Sequence, residues 1–229
     1  MTTMRHGVPA VTLWSGEPCT GELVLHHSAP DAFRPGRVTG IGYADETAQD
    51  RDEMGVLILR HRPNPGEGTP LLKLVHPARQ HASMADELCQ GCGGAPDRTA
   101  EGTLWLMPRD EDAPQGWPEG AVVEHPPICL PCALRSRDAC PEGRRLGWTA
   151  VRVGDSDLWG VAGPVFADRG GRPVKAGYSK LGYDDPRLGW ITASRWLRTL
   201  WECTPVDLDA QARRVPAAGR TEPTAGAVR

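Results

Sequence analysis

Long apolar runs are missing from this sequence. No stretch approaches the ~20 apolar residues that a membrane-spanning helix needs, and Met1 to Val11 lacks the basic start and apolar run of an export signal. A cytoplasmic protein with no membrane partner is expected. A surplus of positive charge is missing too: the formal charge is -3 and the pI is near 6.2. That balance removes any global attraction to nucleic acid or an acidic membrane, so binding of that kind has to be local. Lysine is nearly absent, with Lys73, Lys175 and Lys180 the only three, and the excess of Arg with Ala, Gly and Pro reads as the bias of a GC-rich coding sequence. An even cysteine count is also lacking. Seven cysteines without an export signal argue against a disulfide framework and for metal ligation or buried thiols.

Proline (22) and glycine (27) are plentiful, which leaves short elements joined by many turns. Residues 1–50 are broken repeatedly and read as an irregular N-terminal segment, with short strand-like pieces at Ala10 to Trp14 and Glu22 to His26. Residues 51–209 read as one zinc-containing domain, and 210–229, almost without bulky apolar groups, as a disordered tail. Within the domain, Gly55 to Arg60 and Leu71 to Val75 read as a hairpin, and Pro77 opens a helix that runs to about Leu88. Thr103 to Met107 and Ala121 to Glu124 read as antiparallel partners across a polar, proline-containing loop carrying Trp117. A helix is expected from Pro131, and a second hairpin is expected from Trp148 to Ala162 around the Gly154 to Asp157 turn. Leu188, Ile191, Trp196, Leu197, Leu200 and Trp201 recur near helical spacing, which predicts a C-terminal helix over 185–202.

The chemistry is concentrated in four cysteines. Cys89-x-x-Cys92 and Cys129-x-x-Cys132 are two turns, each able to place two thiolates about 2.3 Å from one cation, and together they complete a closed tetrahedron. Gly91, Gly93 and Gly94 supply the positive backbone angles a knuckle needs. Cys129 falls just before the expected helix and Cys132 in its first turn, where the helix N-terminus favours thiolate charge. The pattern implies a structural Zn2+. Iron-sulfur ligation uses the same donors, and buried thiols or a redox pair are the bland alternative.

A knuckle, a hairpin and a helix that supplies the last two ligands make residues 89–138 resemble treble-clef zinc fingers. Some treble clefs are nucleases of the HNH class, which this segment also resembles in its two cysteine pairs. That class carries a histidine base at the hairpin and further metal-binding residues near the helix; Ala133 stands here where many of its members have His. His125, four residues before Cys129, reads as a loop residue or as a donor to a ligand sulfur. His26-His27 and the His76, His81 pair add no carboxylate at helical spacing and read as ordinary histidines.

Of the eight tryptophans, Trp14 and Trp117 lie outside the expected elements and are candidate partner contacts. Arg195 and Arg198, with Arg187, form a small basic face on the expected helix that is a candidate contact for phosphate or an acidic partner, with a solvated surface as the plainer interpretation. The wider pattern runs from Cys89-Gln-Gly-Cys-Gly-Gly through His125-Pro-Pro-Ile-Cys-Leu-Pro-Cys to Cys203-Thr-Pro-Val-Asp-Leu-Asp209. It resembles an uncharacterised family of high-GC Gram-positive bacteria over about residues 50 to 209. Taken together, the sequence predicts an α+β fold of β-hairpins around a treble-clef module. The expected role is a non-enzymatic binding or regulatory protein contacting a protein or nucleic acid; a divergent HNH-like nuclease or other hydrolase is the alternative.

Overall fold

A computed structural model describes residues 7–28, 36–109 and 113–214. The N-terminal part holds β1 (Thr12–Trp14), β2 (Leu23–His27), β3 (Val38–Tyr43), β4 (Leu57–Ile58), β5 (Pro70–Val75) and the helix α1 (Pro77–Ala85). The middle part holds β6 (Arg98–Thr99), β7 (Gly102–Pro108), β8 (Val122–Val123), α2 (Leu130–Ala139) and α3 (Pro141–Leu146). Last come β9 (Trp148–Asp168), β10 (Pro173–Gly182), β11 (Thr192–Ala193), β12 (Arg195–Val206) and α4 (Leu208–Arg214). Helix and sheet are thus mixed, and no described helix is long and apolar enough to cross a membrane.

The organising element is the six-stranded sheet in the order β6-β7-β9-β12-β8, with β10 also on β9. The 21-residue β9 is long enough to serve several partners. It pairs with β7 over Trp148 to Val153, with β10 over Gly160 to Asp168, and with β12 over Ala150 to Ala162, all antiparallel. Three two-stranded units pack around it: β1 with β5, β2 with β3, and a parallel pair of β4 with β11. Apolar residues from these layers form several clusters. One joins Trp105, Met107, Val151, Val153 and Leu200 within the sheet; another joins Val56, Met84, Val161, Leu181, Ile191 and Trp196 under α1.

Several expected elements are overturned. No helix spans 185–202: Leu188–Trp190 is a single 3-10 turn, and Arg195–Val206 is a strand. Residues Trp196 to Leu200 are buried without a break, because this strand is covered on both faces, and a strand covered twice loses the alternation that would reveal it. The expected turn at Gly154 to Asp157 lies inside β9, where Asp155, Ser156 and Asp157 pair with Trp201, Leu200 and Thr199; the hairpin turn comes later, at residues 169–172. The 55–60 and 71–75 runs do not pair with each other, since β4 joins β11 and β5 joins β1. Nor do 103–107 and 121–124, which pair with β9 and β12 respectively. The helices opened by Pro77 and Pro131 are present, each with proline in its first turn. Of the expected tail, residues 210–214 belong to α4, and 215–229 lie outside the described residues.

Candidate metal centre and adjoining cleft

The four cysteines converge. One sulfur from each of Cys89, Cys92, Cys129 and Cys132 lies within 4.8 Å of every other, although 36 residues lie between the two pairs in sequence. Cys92 Sγ is 3.9 Å from Cys129 Sγ, close to the ~3.8 Å edge of a tetrahedron with metal–sulfur bonds of about 2.3 Å. The knuckle is closed by two short backbone bonds: Gly93 N–H donates to the Cys89 carbonyl, and Cys89 N–H donates to that of Gly94, both at 2.7 Å. Gly93 has φ near +71°, which a side chain would resist.

The second pair is delivered by an extended segment laid along β7. Ile128 N–H donates to the Leu104 carbonyl at 2.9 Å, and Gln90 N–H to Pro127 at 2.9 Å, so the chain reaches Cys129 in register with the knuckle. Cys129 then caps α2 and Cys132 occupies its first turn. Cys129 N–H donates to Cys89 Sγ at 3.2 Å, and Arg135 donates to Cys132 Sγ at 3.2 Å. Both are contacts a thiolate welcomes.

Cys89 and Cys132 are almost fully buried. Hydrogen bonds from the Cys129 and Cys132 thiols, with help from backbone N–H groups, hold the Cys89 thiol far below its ordinary range, while hydrogen bonds with Cys132 and Cys89 push Cys129 up. Several anionic sulfurs this close repel one another, and a metal cation removes that conflict. The donor set therefore fits a metal ion. The ligands are also part of the core, packing with Leu104, Leu106, Ile128, Leu130, Ala150 and Leu208.

A buried ion pair braces this module against the sheet. Arg152 on β9 is 1% exposed; it meets the Asp97 carboxylate at 2.6 Å and Gln211 Oε1 of α4 at 2.7 Å. Nothing in the local pattern of β9 marks Arg152 as buried.

Beside the finger lies an open cleft of about 640 Å³, lined by Met107, Pro108, Arg109, Trp117, Val122, Val123, Glu124, His125, Arg145, Leu146 and Lys180. The ends of β7 and β8, the end of α3 and one residue of β10 make its walls. Gly143 allows α3 to approach, since a Cβ there would collide with the Trp148 ring. Trp117 is half-buried and packs on the sheet core. Its loop is pinned by Glu119, whose carboxylate accepts from Glu202 N–H at 3.1 Å and Cys203 N–H at 2.8 Å. These bonds hold β12 at Glu202, which adopts φ near +55°.

Thus Trp117 and His125 are brought together, whereas Arg195 and Arg198 are not. Arg195 donates to Glu124 Oε2 at 2.7 Å and to the Lys73 carbonyl at 3.2 Å. Arg198 is buried, donating to the Met84 carbonyl at 2.6 Å and to Ser156 Oγ at 3.0 Å. Arg187 pairs with Asp185 at 2.6 Å, so the basic face expected from a helix does not form. Burial works against charge on Glu124, but the Arg195 guanidinium, with His125 and Lys180 near, outweighs it and holds the carboxyl below its usual range. Arg109, Arg145 and Lys180 escaped sequence reasoning because only the sheet topology brings them together. Compared with family models, with curated proteins and with solved structures, the chain finds no match, so function rests on the geometry of this centre and its cleft.

Proposed function

We propose that the chain is a zinc-stabilised, non-enzymatic binding protein whose recognition surface is the cleft beside its four-cysteine centre. The observation that carries this reading is the convergence of Trp117 and His125 on one open cleft whose other charged lining is mostly cationic: Arg109, Arg145 and Lys180 against Glu124. Four thiolates suit Zn2+ closed to substrate. The order of a knuckle, the short β6–β7 hairpin and α2 suits a treble-clef-like finger, with β6–β7 in the place expected for 103–107 and 121–124. Zinc so held ties α2 to the sheet, and recognition falls to the cleft. A partner presenting anionic groups to an aromatic wall fits it, whether a nucleic acid or an acidic protein segment, met in the cytoplasm.

Metal analysis of purified protein is expected to give one zinc per chain, and iron or a substoichiometric yield counts against the finger. Copurification from the native host, compared between wild type and Trp117→Ala, is expected to lose a partner on substitution; an unchanged set of partners removes the cleft from recognition.

One observation favours a second reading. His125 and Glu124 line the same open cleft, as a hydrolase resembling the HNH nucleases would arrange a base and an acidic neighbour. Against it, Arg195 occupies Glu124, and among the described residues Cys89, Cys92, Cys129 and Cys132 are the one group of three or more His, Cys, Asp or Glu residues close enough to hold a metal. Metal-dependent cleavage of plasmid or oligonucleotide DNA that disappears in His125→Ala would establish the hydrolase and displace the binding reading.

A further inference from the structure

We infer that the β9–β10 ribbon and the cleft together form one track for single-stranded nucleic acid. The inference rests on the cleft reading and deepens it by naming the class of partner. In a chain of net charge -3, the ribbon from Pro164 to Gly182 carries Arg169, Arg172, Lys175 and Lys180 against one carboxylate, Asp168, and holds two of the three lysines. All four cations are exposed. Asp168 is tied to its own turn, its carboxylate accepting from Gly171 N–H at 2.9 Å.

Register organises these charges. Lys175, Tyr178 and Lys180 lie opposite Phe166, Pro164 and Ala162, alternate positions of β9, because a bulge between Lys175 and Gly177 restores the alternation. The three side chains therefore share one ribbon face, with Tyr178 between two ammonium groups. Tyr178 is 54% exposed and its hydroxyl is anchored by Ser194 Oγ at 3.2 Å, so the ring is held in place while a face stays open. Lys180 belongs to the cleft as well, so the ribbon's cations lead into the cleft that Trp117, Arg109 and Arg145 also line.

Cations that follow a phosphate backbone, interleaved with aromatic rings on which bases stack, are the physical recipe for single-strand binding. A duplex keeps its bases stacked on each other and cannot offer one to Trp117 inside the cleft. The local acids do not cancel the line, since Arg195 holds Glu124 at 2.7 Å and Arg187 holds Asp185 at 2.6 Å.

The test is fluorescence anisotropy of a labelled oligothymidylate, and of the same strand annealed to oligodeoxyadenylate, titrated with the full zinc-loaded chain over a range of salt. Single-strand binding tighter than duplex binding is expected. Lys175→Gln with Lys180→Gln is expected to weaken it by ~10-fold and to lower the salt slope by about 1.4, at about 0.7 per lost phosphate contact. Tyr178→Ala is expected to weaken it at least about fivefold. These side chains are exposed, and an unchanged metal content and thermal midpoint verify that each variant is folded. Equal or tighter duplex binding overturns the single-strand assignment. Single-strand binding that ignores the double lysine variant overturns the ribbon. If neither DNA binds while Trp117→Ala still abolishes capture of a protein partner, the nucleic-acid track fails and the cleft reading stands.

Discussion

Gln80 shows how one side chain can replace a stretch of missing sheet. β8 pairs with β12 only at Arg198 and Thr199, and two residues before Arg198 on β12 the carboxamide of Gln80, from α1, fills the gap. Its nitrogen donates to the carbonyls of Trp196 at 2.9 Å and Glu124 at 3.0 Å, and its oxygen accepts from Trp196 N–H at 2.8 Å. With no exposed surface at Gln80, water cannot substitute. Gln80→Leu keeps the volume and strands three backbone groups, so a loss of about 2–4 kcal/mol is expected, measured as a lower urea midpoint at unchanged m value. A midpoint equal to wild type would mean the segment relaxes to find other partners. His76, 3% exposed, makes a second prediction. Burial, then the charges of Arg79 and His61, outweigh Glu17 and lower its pKa from 6.5 to about 4. The unfolded chain therefore binds a proton that the folded chain refuses. Stability from neutral His76 is complete above about pH 6.5 and is lost as pH falls toward about 4, at about 1.4 kcal/mol per pH unit. His76→Leu should flatten the stability profile across that window. The same slope in both proteins would assign the pH dependence to other groups.

At the scale of elements, two glycines in β9 decide whether three segments can lie against one another. A Cβ on Gly163 would collide with the Thr192 carbonyl, and one on Gly160 with the Leu181 carbonyl, whereas a Cβ on Gly177 would meet nothing within 4 Å. Gly163→Ala is therefore expected to cost about 1–3 kcal/mol and Gly177→Ala less than about 0.5 kcal/mol, both read from thermal melts; equal effects would deny the close approach. Locally, Gly160 and Gly163 read as turn residues, because the need for them is created by a chain more than ten positions away. The same blindness explains the 195–206 strand. Leu197 and Leu200 fit a helical stripe, and Arg198 fits its polar face, until pairing with β9 and packing against α1 bury the arginine. What was legible was carried by adjacent residues: proline at the start of α1 and α2, glycine in the knuckle, and cysteine spacing that needs only a turn to present two sulfurs. The cleft was legible in half. Trp117 and His125 stood out by their surroundings in sequence, but Arg109, Arg145 and Lys180 gain meaning only from the order of β7, β9 and β10.

For the molecule as a whole, the proposed zinc is not an appendage that could be removed while the sheet remains. Cys89 and Cys132 are buried in the same cluster as Leu104 and Leu106 of β7, Ala150 of β9 and Leu208 of α4, so the ligand shell and the sheet share one core. Backbone bonds carry the link further: Ala10 N–H reaches the Gly91 carbonyl at 2.9 Å, tying the N-terminal segment to the knuckle. Stripping the metal leaves four sulfurs, crowded within 4.8 Å, that can relieve their repulsion only by taking up protons or moving apart. Either change reaches the Arg152–Asp97 pair, which cannot lose its geometry without leaving a buried charge unpaired. Because binding energy at such a centre is folding energy, incubation with a strong chelator is expected to lower the thermal midpoint in a single transition. The near-ultraviolet dichroism of buried Trp105 should fade together with the far-ultraviolet strand signal. A chelated protein that keeps its midpoint would show that the thiols alone hold the finger. A split into two transitions, with the sheet melting as before, would show that the finger is a separate folding unit merely resting on β7 and β9.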